Sequence, residues 1–227
     1  MSLSDWLTNN YIEVFGAVTG IIYVFLEIRQ TIWLWPVGII TSAVYIWVFF
    51  TSKIYADMSL QIYYLVISIL GWYWWARGSE RRAQSSGQEL EGGNGRRGEG
   101  EKEELQVTRI TLKTGIVLAI VFVLLYFGMW LILNRLTDSP VPVRDAFITS
   151  LSIVATWMLA RKIYEHWYLW IIVNFVSAVL FLTRGLYPTV ILYVVYGVMS
   201  FGGLVAWKKT IPRKEIDKPQ RNIENIL

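Results

Sequence analysis

Apolar positions along the chain gather into seven runs, at roughly 10–29, 33–51, 57–76, 109–133, 145–162, 166–183 and 187–207. Each is near the ~20 residues with which an α-helix crosses the hydrocarbon of a bilayer, so the pattern predicts an all-α membrane protein with seven transmembrane helices. The few polar positions inside the runs recur as stripes. Gln61, Tyr64, Ser68, Gly71 and Trp75 in the third run are answered by Tyr193, Tyr196, Ser200, Gly203 and Trp207 in the seventh, every pair 132 positions apart. Glu13 and Asp145, Gly20 and Ser152, and Tyr55 and Tyr187 keep the same spacing. In the second run of each half, Ser42-Ala43-Val44 matches Ser177-Ala178-Val179 at 135 instead, which predicts that the second half is shorter in helix six or the following loop, by nearly one helical turn.

Duplication of a three-helix unit leaves the fourth run over. As a single crossing it carries the chain back so that both units start on the same side, giving parallel repeats related by an axis along the membrane normal, with substrate expected between them near midplane. This 3+1+3 organisation divides the chain into a first repeat (10–77), a linker (78–104), an inversion linker helix (105–134), a second repeat (145–208) and a tail (209–227). The linker is rich in Gly, Glu, Arg, Ser and Gln with almost no apolar side chains, a composition that cannot bury a core, and disorder is expected there.

Composition agrees with a membrane protein: 55% of residues are apolar and 12 are tryptophan, against roughly 45–50% apolar in soluble domains. The first run lacks a basic flank, carries Glu13 early and is followed by no clear small-residue cleavage site, so it is expected to remain in the mature protein. Absence of cysteine excludes disulfides, thiolate metal sites and cysteine nucleophiles, and a single histidine leaves little for metal chemistry. No nucleophile–base set, P-loop or dinucleotide fingerprint is present, so neither enzymatic chemistry nor a cofactor is expected.

Of the 21 Lys and Arg, only Lys53, Arg135, Arg144 and Arg184 fall on one side of the predicted spans. The positive-inside rule then puts the linker and C-terminus in the cytoplasm and the N-terminus outside. The net charge of +4 belongs to these flanks and comes with no nucleic-acid motif, so topology accounts for it and nucleic acid is not an expected partner.

Candidate binding residues come from two faces. Trp167, Trp170 and Asn174, spaced i, i+3, i+7, share one face of helix six, and Ser177 extends it. Indoles offer flat stacking faces and N–H donors, and an amide stripped of water needs a partner helix or a ligand. Together they suit a flat heterocycle with hydrogen-bonding substituents, although an interhelical hydrogen bond alone would also explain Asn174. The second face is the repeated stripe: Gln61, Tyr64 and Ser68 on helix three and Tyr193, Tyr196 and Ser200 on helix seven. Gly71 and Gly203 suit close packing, Gly16 and Gly20 a small-xxx-small contact, and Trp75 and Trp207 interfacial anchoring. Glu13 and Asp145 open a first helix in each half, where a carboxylate stays wet and favours the helix N-terminus.

Several of these stretches resemble the PnuC vitamin transporters: Trp167-Tyr-Leu-Trp170-Ile-Ile-Val-Asn174 with Gly185-Leu-Tyr187, Ile12-Glu13 leading to Gly16 and Gly20, Ile54-Tyr55-Ala56 followed by Gln61, Gly71-Trp72-Tyr73-Trp74, and Leu151-Ser152-Ile153-Val154-Ala155 leading to Arg161-Lys162. The resemblance covers roughly 11–77 and 145–208. It implies a 3+1+3 fold similar to that of the SWEET sugar transporters, facilitated import of nicotinamide riboside across a bacterial inner membrane, trapping by a cytoplasmic kinase, and a homotrimer. It makes Trp167, Trp170 and Asn174 the leading substrate contacts, with Gln61 next. Arg184 departs from the uncharged glutamine typical of the family, and its guanidinium is expected to snorkel outward rather than enter a pocket for a cation. Thiamine, likewise a flat cation that stacked indoles attract, is the alternative substrate; a SWEET-like sugar facilitator and a non-transporting scaffold are the rival readings.

Overall fold

The computed structural model describes residues 11–51, 55–91, 106–136 and 141–211. They form seven helices: α1 (Tyr11–Ile28), α2 (Leu34–Thr51), α3 (Tyr55–Glu91), α4 (Leu112–Leu136), α5 (Pro142–Ala160), α6 (His166–Thr183) and α7 (Tyr187–Lys208). Eighteen residues, the length of α1, α2 and α6, rise about 27 Å, close to the thickness of bilayer hydrocarbon.

Five of the seven, α2 and α4 to α7, are long and apolar enough to cross a membrane. The seven expected from the run pattern include two that fall short by that measure. In α1 the described apolar stretch is Val14–Ile28. In α3, Asp57 and Gln61 interrupt the start and tryptophans and tyrosines crowd the end. Helix α3 also runs to Glu91, well past its apolar part, so residues 78–91 are helical where disorder was expected. That stretch has no proline and holds the helix formers Glu80, Arg81, Arg82, Ala83, Gln84, Gln88, Glu89 and Leu90. The rest of the linker, most of the tail and residues 1–10 lie outside the described residues.

The helices pack in a closed order, α1 on α2, α2 on α3, α3 on α5, α5 on α6, α6 on α7 and α7 back on α1, while α4 rests chiefly on α5 among the described residues. The two contacts that join the halves, α3 with α5 and α7 with α1, exchange under the 132-residue offset. So do their details. Trp35 and Trp75 meet edge-to-face with centroids 5.4 Å apart, and Trp167 and Trp207 do so at 5.8 Å. The Trp75 indole N–H donates to the Ala160 carbonyl, and that of Trp207 to the Glu27 carbonyl, one residue before the counterpart of Ala160. Trp75 and Trp207 are therefore buried seam residues, not the interfacial anchors that their position near a helix end suggested. Even the turns repeat: Gln30 (φ 53°) and Lys162 (φ 52°), 132 apart, both take the left-handed conformation uncommon for residues other than glycine.

The register of the second helices follows from the same contacts. Trp35 under Gly71 corresponds to Trp167 under Gly203, so the offset is still 132 at this point, and the counterpart of Asn174 is Ser42. The match at 135 expected from Ser42-Ala43-Val44 is a local likeness of sequence rather than of position. After the linker, Thr108 pairs with the α5–α6 turn, its N–H donating to the Lys162 carbonyl and its carbonyl accepting from Tyr164 N–H, while Ile110 N–H donates to Glu165 Oε2 at 2.8 Å. This ties the start of α4 to the second half.

Candidate functional site

Helices of both halves line a partly open cavity of about 260 Å³, toward the small end of ligand pockets, which run from roughly 300 to 1,000 Å³. From α6 it is lined by Trp167, Trp170 and Asn174, from α3 by Gln61, Tyr64 and Ser68, and from α7 by Tyr196 and Ser200. The structure thus brings together all the expected site residues except Tyr193. That ring stacks on Phe181 of α6 at 5.3 Å and 15° and is not among the lining residues. Tyr193 and Tyr196 share a stripe, yet the turn between them aims one ring at α6 and the other at α1.

Tyr196 reaches α1 because Gly20 has no side chain: a Cβ there would collide with the phenol oxygen. In the other half Tyr64 takes the matching position, beside Ser152, the counterpart of Gly20. Gly16 similarly receives the Tyr45 hydroxyl. The Gly16/Gly20 pair therefore accommodates tyrosines rather than a neighbouring backbone. Asn174 Nδ2 donates to Ser200 Oγ at 3.1 Å, and Ser200 Oγ donates to the Tyr196 carbonyl at 2.8 Å, a chain that holds the amide plane inside the cavity wall.

Other wall atoms have no protein partner. The indole N–H groups of Trp167 and Trp170 and the Thr41 hydroxyl are buried without a hydrogen bond. A buried donor left unpaired costs about 1–3 kcal/mol, so this wall is better satisfied by a molecule bearing acceptors. The aromatic faces supply stacking area and attract cations.

A carboxyl side chain, Glu27, joins the wall from α1, where Tyr23 and Thr19 also line it, together with Gly38 and Ser42 of α2. Glu27 Oε1 lies 3.0 Å from His166 Nε2, and both side chains are almost wholly buried, at 2% and 0% exposure. His166 Nδ1 is 2.7 Å from the Ile163 carbonyl oxygen, and its ring lies 4.7 Å from both Trp167 and Trp207. The sequence reading missed this pair. An acid inside a candidate span is a functional position by default, but Glu27 near the end of its run looks interfacial and nothing in the sequence links it to His166. Arg184 caps the far end of α6, exposed and away from the cavity.

A family model described as nicotinamide mononucleotide transporter matches residues 10–209. The chain belongs to that family. Among related transporters, the nicotinamide riboside transporter PnuC of Escherichia coli strain K12 is 26% identical over 222 residues, spanning 87% of this chain and 85% of that protein. The riboflavin/roseoflavin transporter RibM of Streptomyces davaonensis is 25% identical over 195 residues, spanning 86% and 83%. A crystal structure of the vitamin B3 transporter PnuC has the same fold, with a TM-score of 0.64 over 89% of this chain and 83% of that one, at 23% identity. The transporter is thus a multi-pass membrane protein whose relatives move small molecules rather than transform them. Its cavity carries the groups expected for a flat, polar solute.

Proposed function

We propose that this transporter carries nicotinamide riboside across the bacterial inner membrane by facilitated diffusion. The observation that supports this most is the cavity between the halves, where the indoles of Trp167 and Trp170, their unpaired N–H groups and the Glu27 carboxyl meet. A pyridinium ring stacks on such faces through cation–π attraction, and the ribose hydroxyls and amide offer acceptors to the N–H donors. Asn174 and Gln61 orient the polar substituents, with Tyr64, Ser68, Tyr196 and Ser200 completing the wall; Tyr193 acts behind them by fixing α7 against α6.

The mechanism we propose is alternating access in a 3+1+3 arrangement of seven spans, the two three-helix units rocking about the cavity, with the N-terminus outside and the C-terminus in the cytoplasm. A cytoplasmic kinase traps the vitamin, and the functional unit is a homotrimer. The relatives named above make riboflavin a competitor to be tested, beside thiamine and sugars.

The test is uptake of labelled nicotinamide riboside into liposomes containing the purified protein, challenged by unlabelled nicotinamide riboside, thiamine, riboflavin and glucose. Saturable uptake that only nicotinamide riboside blocks, and that continues after proton and sodium gradients are collapsed, is the expected result. Block by thiamine or riboflavin alone reassigns the vitamin; block by glucose alone favours a sugar carrier. Without uptake of any of these solutes, the transport reading fails.

A further inference from the structure

We infer that Glu27 and His166 share a proton that the cavity gives up when a cationic ring enters it. The inference deepens the transport reading above and rests on it. A carbonyl oxygen only accepts, so His166 Nδ1, 2.7 Å from the Ile163 oxygen, must carry a hydrogen and donate it. With that tautomer fixed, a neutral ring would turn the bare lone pair of Nε2 toward Glu27 Oε1, 3.0 Å away. A hydrogen bond there needs a proton between the two atoms, as imidazolium with carboxylate or as imidazole with carboxylic acid. Either way the pair is net neutral and holds a proton that it can lose.

Packing does not call for this pair. At the 132-residue offset its counterparts are Leu159 and Leu34, both fully buried in the same apolar cluster. Hydrophobic residues of similar volume generally stabilise a buried site at least as well as an ion pair. The ionisable version occurs where the acid borders the cavity, whereas Leu34 and Leu159 do not line it.

The groups around the pair leave its proton free to respond to a ligand. On α1 itself the neighbour is the Tyr23 phenol, with Tyr63 and Tyr64 of α3 behind it. Helices α6 and α7 present the Trp167 and Trp207 indoles, and α2 brings Gly38, Thr41 and Ser42 to the cavity. Glu165 is turned to the Ile110 amide, while Arg161 and Lys162 lie over Trp74 and Trp75 at the other seam.

A cation in a cavity of about 260 Å³ sits close to Glu27. Away from bulk water, an imidazolium beside it is repelled and a carboxylate attracts it. Loading therefore leaves Glu27 as carboxylate and His166 as neutral imidazole, and the proton passes to solvent. Charge inside the cavity is conserved, since a cation enters as a proton leaves. Unloading reverses the step. At equal pH on both sides, the vitamin's own gradient still drives uptake.

The test is isothermal titration of nicotinamide riboside into the full-length protein in two buffers of different ionisation enthalpy, repeated across pH, with the uncharged dihydro form as control. The expected result is a buffer-dependent heat, corresponding to proton release, for the cation but not for the dihydro form. Affinity for the cation should fall by up to about tenfold per pH unit lowered where the pair holds its proton, and Glu27→Gln should flatten that slope. Binding with the same heat in both buffers overturns the inference while leaving the transport reading intact. Failure of nicotinamide riboside to bind the folded protein overturns the reading and this inference with it.

Discussion

Gly203 lies against the six-membered ring of Trp167 so closely that a Cβ at that position would overlap it. The glycine on α7 sets the depth of an indole that lines the cavity from α6. Gly203→Ala should therefore push Trp167 off its place, weakening ligand binding at least tenfold and lowering stability by about 1–3 kcal/mol, the usual cost of overpacking. Gly71→Ala applies the same clash to Trp35, which does not line the cavity. It should cost similar stability with a smaller loss of binding. Thermal unfolding and ligand titration on the two variants check the contrast.

Asn174 has only Ser200 as a hydrogen-bond partner among its contacts described above. Asn174→Ala should reduce stability by about 0.6–2 kcal/mol, the worth of an interhelical hydrogen bond in a membrane, and abolish measurable uptake. Ser200→Ala should reproduce the stability loss while retaining part of the uptake, because the amide stays in the cavity. Parallel unfolding and liposome uptake measurements distinguish the two.

The Trp170 N–H is buried and unpaired. Trp170→Phe keeps an aromatic face and removes the donor. It should leave the ligand-free protein within about 1 kcal/mol of wild type, because relief of an unpaired donor offsets lost packing, and weaken ligand binding about tenfold, or 1.4 kcal/mol. Equal affinity in the variant would show that the N–H does not meet the ligand.

Much of this architecture is legible in the sequence. The apolar runs locate the helices to within a few residues except α3, whose helix formers carry it beyond the membrane-type stretch into 78–91. Periodicity picks the faces that turn inward at Trp170, Asn174, Gln61 and Ser200. It does not distinguish Tyr193 from Tyr196, because their orientation depends on whether a glycine or a phenylalanine waits opposite. Nor does it reveal Glu27 and His166, which are 139 positions apart. Each sits at a helix end, where a polar side chain looks like an interfacial one until the partner helix is seen.

The same pair predicts an inverted double-mutant result. His166→Ala strands the Glu27 carboxyl in the interior and should cost about 3–5 kcal/mol. Replacing both residues with leucine, as the sister position has done at Leu34 and Leu159, should restore stability to at least that of wild type while abolishing cation uptake. Denaturation of the single and double variants provides the check; a double variant as unstable as the single would mean that the pair holds the seam together.

Topology can be tested on a clean background because the chain has no cysteine. Lys209→Cys and Leu186→Cys place single thiols at exposed positions at the two ends of α7. With the proposed orientation, a membrane-impermeant maleimide added to intact cells should label the second and spare the first. The opposite pattern would reverse the assignment of the termini.

Gly38 and Trp170 are counterparts under the 132-residue offset and face the same cavity. A pocket on an unbroken two-fold axis would offer an unsymmetrical solute two equivalent poses, each with its polar end against a different half. With a bare glycine on one side and an indole on the other, those poses are no longer degenerate. In the proposed carrier a flat solute would then lie off the axis, with its ring toward the Trp170 half. Divergence between the duplicated halves has thus made the pocket lopsided, with one aromatic wall that an identical pair could not have.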